Sequence, residues 1–221
     1  MLLLVNHKAN LNLEEIIEYE RKIKSLDIII FPTISYLSLF QNGNYTLGSQ
    51  DISEFEQSDK TGEINGKQLK SLNVKYTLIG HKERRIDKNE TFQTLILKIK
   101  NCINNNITPL YCIGNEYEKD LNEIDEIIKI INNKEIILIY EPYENIGSDI
   151  PNLTKINNYI INIKKYIKKK YNRTIKIIYG GGININNINM IMNKNIDGII
   201  LTNSSLKIEE LEQIYLKVKE I

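Results

Sequence analysis

Eight times along these 221 residues a short, mostly apolar run breaks off at, or one residue before, a polar residue, a glycine or a proline. The runs are 2–5, 27–31, 45–47, 76–79, 108–112, 135–140, 175–179 and 198–201. Runs without strict alternation predict strands buried on both faces, as in parallel sheets. The intervening stretches carry apolar residues at helical spacing; in the first, Leu13, Ile16, Ile17 and Ile23 are separated by charges. Helices are predicted over 13–24, a short piece ending at residue 71, 90–104, 118–131, 152–171, 186–193 and 206–219. Strand followed by helix, repeated with no linker or composition break, favours an α/β chain closed as a (β/α)8 barrel over an open doubly wound sheet. One domain over residues 1–221 is expected, near the short end for such a barrel.

Composition narrows the function classes. A hydrophobic content of 42% and a mean hydropathy of -0.30 are ordinary for a globular chain. No apolar run is long enough to span a bilayer, so no membrane partner is expected. A net charge of +1 gives no electrostatic reason to expect nucleic acid. Cys102 and Cys112 have neither CxxC nor metal-ligand spacing, and read as free thiols of a reducing cytoplasm. No His, Cys and carboxylate cluster has ligand spacing and no phosphate-loop signature occurs. Neither a metal nor a nucleotide cofactor is therefore expected.

The chemistry-bearing residues fall at the C-terminal ends of the predicted strands, the face on which such barrels carry their sites. Lys8 is a cation just past the first strand. His81 lies in Ile79-Gly80-His81-Lys82-Glu83-Arg84-Arg85, at the first position where a side chain can meet a ligand. A helix is expected to begin around Asp87–Glu90, and its dipole would disfavour the imidazolium, leaving a neutral donor. Glu141 ends the sixth strand, with Pro142 fixing the next bend; partial burial would raise its pKa towards that of a general base. Gly147 and Gly180–Gly182 offer backbone N–H groups unobstructed by side chains. Taken singly, Lys8 is a solvated lysine, Glu141 a surface carboxylate and Gly180–Gly182 a tight turn, while Arg84 and Arg85 read as structural ion-pair partners. Taken together, a base, a neutral donor, a cation and an anion cradle fit proton abstraction beside a carbonyl, with an enediolate stabilised electrostatically.

The ordered motifs resemble the triosephosphate isomerase family along essentially the whole chain. Asn6-His7-Lys8-Ala9-Asn10 is similar to its Asn-x-Lys-x-Asn, and Gly48-Ser49-Gln50-Asp51-Ile52-Ser53 to its third-loop motif. Thr61-Gly62-Glu63 resembles the dimer-loop tip. Ile79–Arg85 is similar to the catalytic-histidine signature with Lys82 for a serine, and Glu90 falls where the family has a buried acid. Cys112-Ile113-Gly114, Tyr140-Glu141-Pro142, Ile146-Gly147 and Tyr179-Gly180-Gly181 complete the series. The resemblance implies a TIM barrel, a homodimer and interconversion of glyceraldehyde 3-phosphate and dihydroxyacetone phosphate, a step of glycolysis and gluconeogenesis. It implies that Glu141 moves the proton, His81 acts on the substrate oxygens, and Lys8, helped by Asn6, neutralises developing charge. Glu83 would support Lys8, while Gly147, Gly182, Thr202 and Asn203 would meet the phosphate. His7, standing where the family has an aromatic, is expected to pack.

The departures gather at the phosphate site and the lid. Gly182 stands for the family's serine, and Thr202 with Asn203 for its two glycines. Thr202 is β-branched and is expected to resist φ > 0. The lid reads Pro142-Tyr143-Glu144-Asn145-Ile146-Gly147-Ser148-Asp149. Replacements in pairs, Glu144 with Asn115 and Asp149 with Gly182, suggest a re-formed latch. Two functions stay open on the sequence: a working isomerase, or a barrel that kept the fold and became a weakened or non-catalytic binding protein.

Overall fold

The computed structural model describes residues 1–57, 59–114, 116–142, 152–192 and 195–220. Its eight strands are β1 (Leu2–Asn6), β2 (Ile29–Phe31), β3 (Thr46–Ser49), β4 (Tyr76–Ile79), β5 (Thr108–Ile113), β6 (Ile137–Tyr140), β7 (Lys176–Gly180) and β8 (Gly198–Leu201). Each pairs in parallel with the next, and β8 pairs with β1, so the sheet closes into a barrel. The register sets Leu4 against both Ile29 and Ile200.

Closure explains the unbroken apolar runs. Leu4, Ile29, Phe31, Leu78, Leu110, Ile137, Ile139, Ile178 and Ile200 fill the barrel interior. Their strand neighbours, such as Leu3, Val5, Ile79, Tyr111 and Leu138, pack outward against the helices. Both faces of each strand are thus removed from water, and alternation has nothing to report.

The helices are α1 (Leu13–Ile23), α2 (Gly66–Ser71), α3 (Lys82–Asp87), α4 (Phe92–Asn104), α5 (Tyr117–Ile130), α6 (Leu153–Tyr171), α7 (Ile188–Met192) and α8 (Ile208–Lys219). Capping residues mark several of their starts. Asn12 and Asn65 form capping boxes with Glu15 and Gln68, and Thr91 accepts from the Thr94 amide to open α4. Among the described residues no helix is long and apolar enough to cross a membrane.

Two local expectations are corrected. The turn after His81 is helical at once, through α3, rather than from Asp87–Glu90. His81 is itself the N-cap residue, Glu83 lies in the first turn and Arg84 and Arg85 in the last, a charge order that complements the helix dipole. After β2 the chain forms a 3-10 turn over Ile34–Leu39, a segment to which the sequence assigns no helix.

His7 is fully buried where β1 ends. Its ring meets Tyr19 edge-on at a centroid distance of 4.4 Å and lies 6.5 Å from Phe40. Among the described residues neither ring nitrogen has a partner. Burial holds its pKa at about 4, against 6.5 in the free side chain. Between those values the unfolded chain takes up a proton that the native protein refuses. The stability that depends on neutral His7 is therefore complete above pH 6.5 and is lost as the pH falls towards 4, by up to about 3 kcal/mol. Replacing His7→Phe should flatten the unfolding free energy over this window, as read by urea denaturation at a series of pH values. Equal slopes in both proteins would assign the acid loss to other groups.

Candidate active site

The exits of β1, β4, β6, β7 and β8 open onto one cavity of about 580 Å3, lined among others by Lys8, His81, Glu141, Gly182, Thr202 and Asn203. Lys8 has a left-handed backbone, with φ at 51°, a conformation that costs a non-glycine residue on the order of 1 kcal/mol or more. Its surroundings hold it there. The Asn6 side chain accepts from the Lys8 amide at 3.0 Å. The Lys8 carbonyl accepts from Thr33 Oγ1 at 2.9 Å and from Gln50 Nε2 at 2.8 Å. Lys8 Nζ pairs with Glu83 at 2.5 Å. Burial pushes the Glu83 carboxyl upward, but Lys8, His81 and Lys82 outweigh it and leave the pKa lowered. Thr33 and Gln50 have no role in the sequence reading; Gln50 lies inside a quoted motif, whereas nothing local marks Thr33.

Arg85 binds the β4 exit to its neighbours. Its guanidinium donates to the Gly80 carbonyl at 2.7 Å, the Cys112 carbonyl at 3.1 Å, the Tyr111 hydroxyl at 2.8 Å and both oxygens of Glu123. Tyr111 in turn donates to Glu123 at 2.7 Å. Arg84 takes the other side, pairing with Asp51 and Glu90, which also hold the buried Lys98. The structural reading of both arginines and the buried acid at Glu90 are borne out.

His81 is held by both ring nitrogens. Nδ1 accepts from the Glu83 amide at 3.4 Å, and Nε2 lies 3.2 Å from Glu141 Oε2. An accepting Nδ1 places the proton of a neutral ring on Nε2, aimed at Glu141. The sequence expectation of a depressed pKa is reversed. Burial lowers it, but contact with Glu141 and the charge of Glu83 more than offset this, and the net shift is upward. A six-residue helix carrying Glu83 in its first turn supplies too little positive field to compete.

Glu141 is itself buried, and two glycines make room for it. A Cβ at Gly180 would lie 2.6 Å from Glu141 Oε1, and one at Gly114 would lie 2.4 Å from the Glu141 carbonyl. These glycines are a requirement of the carboxylate's position, a role hidden in sequence because the contacts come from another strand. Gly182 adopts φ 61°. Thr202 sits at φ -123°, so the expected resistance to a left-handed backbone does not arise, and Asn203 opens a 3-10 turn over Asn203–Ser205. Thr61, Gly62 and Glu63 form an exposed tip. Pro142 is buried beside Glu141. The remaining lid residues Tyr143, Glu144, Asn145, Ile146, Gly147, Ser148 and Asp149, together with Asn115, lie outside the described residues, and so does the expected latch.

This arrangement puts a carboxylate and an imidazole within hydrogen-bond reach of each other, beside a fixed cation, in one concave site. Among the described residues no group of His, Cys, Asp or Glu could hold a metal ion. The chemistry within reach is proton transfer with electrostatic stabilisation of an oxyanion.

Comparison with known proteins gives a consistent result. The family described as triosephosphate isomerase matches residues 1–218. The triosephosphate isomerase of Orientia tsutsugamushi (strain Ikeda) is 35% identical, over 97% of this chain and 96% of that protein. That of Orientia tsutsugamushi (strain Boryong) is 37% identical over 84% of this chain and 81% of its own length. The enzyme of Mesomycoplasma hyopneumoniae (strain 232) is 33% identical, with 87% and 84% covered.

Because Arg85 neutralises a buried carboxylate, Arg85→Met should strand Glu123 and cost about 3–5 kcal/mol in chemical denaturation. A loss under 1 kcal/mol would show that the hub is dispensable.

Proposed function

The chain belongs to the triosephosphate isomerase family, and we infer from that premise and the site geometry that Glu141 is the base by which it interconverts glyceraldehyde 3-phosphate and dihydroxyacetone phosphate. One observation carries the assignment: Glu141 and His81 lie 3.2 Å apart in a cavity that also holds Lys8. Glu141 takes the proton from C1 of dihydroxyacetone phosphate and returns it at C2, through an enediolate whose negative charge is spread over O1 and O2. His81, through Nε2, moves the hydroxyl proton between those oxygens. Lys8 stabilises the charge that develops on them, and its strained backbone, held by Asn6, Thr33 and Gln50, fixes the ammonium before substrate arrives. Glu83 orients Lys8 from one side and His81 from the other. The contact between Glu141 and His81 must open for substrate to enter, since one carboxylate oxygen cannot serve both partners.

Two finer readings accompany this one. A cytoplasmic location fits the buried free thiols Cys102 and Cys112. A homodimer fits the exposed Thr61-Gly62-Glu63 tip, of which Gly62 and Glu63 line a second cavity of about 540 Å3 together with Lys8, Ile34, Gln50 and Glu83 of the same chain. In that assembly the tip packs against the other subunit, and the interface covers Ile34, which is 44% exposed here.

A coupled assay on both triose phosphates should find turnover, and Glu141→Gln should reduce kcat by about 100-fold or more without unfolding the protein. Wild-type turnover no higher than buffer would remove the isomerase assignment. Sedimentation at micromolar concentration should give a species of twice 25.7 kDa. A single boundary at the monomer mass would count against the dimer.

A further inference from the structure

The turn between β8 and α8 contains two polar side chains with no structural employment. Ser204 is 8% exposed and lines the catalytic cavity, yet among the described residues its hydroxyl has no hydrogen-bond partner. Its neighbour Ser205 does the work of the turn: its amide and its hydroxyl both donate to the Thr202 carbonyl, at 3.0 and 2.6 Å. The Ser205 carbonyl accepts from Tyr19. A hydroxyl kept from solvent without a partner costs about 1–3 kcal/mol, so folding gives no reason for one at position 204.

Lys207 stands on the same wall of the same cavity. It is exposed and forms no ion pair among the described residues, whereas Lys8, the other lysine lining the cavity, is held by Glu83. Lys207 is also the N-cap of α8, where no side-chain oxygen accepts from the first amides. A cation is a poor choice at the positive end of a helix, and side-chain acceptors are the preferred caps. Glu210, which also lines the cavity, accepts from the Ile185 amide at 3.4 Å and forms no ion pair with Lys207 among the described residues. Glu209 and Glu210 in the first turn of α8 offset its dipole, so the wall's attraction for an anion rests on an uncommitted donor and an uncommitted cation.

We propose that Ser204 and Lys207 form a side-chain clamp for the phosphate of the triose phosphate substrate. Ser204 Oγ donates to a phosphate oxygen and Lys207 supplies the countercharge. One χ1 step between staggered wells turns a serine hydroxyl, and here the step gains a bond without breaking one. Side chains from this turn thus add to whatever the backbone amides of Gly182, Thr202 and Asn203 provide. The inference rests on the isomerase reading for the identity of the anion. The clamp itself can be tested without turnover.

Binding of inorganic phosphate by isothermal titration calorimetry is the primary measurement, with KM for glyceraldehyde 3-phosphate alongside. Ser204→Ala should weaken phosphate binding about tenfold, the worth of one hydrogen bond to a charged group. Lys207→Met should weaken it about two- to fivefold, as expected for an exposed ion pair, and Lys207→Arg should restore most of the loss. The loss should fall on KM more than on kcat. Removing an orphaned hydroxyl should leave the Tm of Ser204→Ala unchanged or raised. Phosphate affinity unchanged in both variants overturns the clamp, as does wild-type protein that binds no phosphate at millimolar concentration. A Tm several degrees lower in Ser204→Ala would give the hydroxyl a structural partner and equally overturn it. Absent turnover with intact phosphate binding would refute the isomerase reading and leave the clamp standing.

Discussion

The Arg85 guanidinium is the contact on which the catalytic geometry hangs. From a six-residue helix it reaches the Gly80 carbonyl at the β4 exit, the Cys112 carbonyl in β5 and the Glu123 carboxylate of α5. The β4 exit carries His81. The β5 exit carries Gly114, whose missing side chain admits the Glu141 backbone. One planar cation thus sets the separation of two strand ends and, through them, of the proposed base and electrophile. A guanidinium suits this task because its donors point in fixed directions and it stays charged when buried.

Around that hub the charges are arranged so that few carboxylates stand alone. Asp51 and Glu90 share Lys98 and Arg84, Glu123 has Arg85, and Glu83 has Lys8. Burial pushes the Asp51 carboxyl up, and its cations recover only part of that shift. Networks of this kind are expensive to break and say little about net stability, but they allow few alternative arrangements. Their placement under β3, β4 and α4 keeps the Lys8 and His81 side of the cavity rigid. Rigidity on that side matters, since transition-state stabilisation depends on donors that need not reorganise.

The β8 wall works differently. Where the family has paired glycines, this chain has Thr202 and Asn203, and the turn folds without a left-handed residue. The resulting wall is richer in side chains, including a spare hydroxyl and a spare ammonium. Backbone amides and side-chain donors are two ways of meeting one dianion. The change at Gly182, where the family has serine, moves a hydroxyl away from the β7 exit, while Ser204 places one at the β8 exit.

The apolar runs and the residues that end them determined the barrel and most of its strand-end site. Burial on both faces of a parallel strand leaves a direct trace in composition, and polar residues at a strand's C-terminal end stand out against it. Lys8, His81 and Glu141 were legible for that reason. Tertiary structure alone decided what acts between strands distant in sequence. Gly180 is a glycine because Glu141 occupies the space, Thr33 and Gln50 serve the Lys8 carbonyl just past β1, and His81 has a raised pKa because Glu141 and Glu83 converge on it and outweigh its burial. Such roles follow from distances between atoms brought together by closure of the barrel, and pairwise distance has no local signature in a chain. Ser204 and Ser205 make the point most simply: they are the same residue type, adjacent in sequence, and only the fold gives one hydroxyl a partner and leaves the other without.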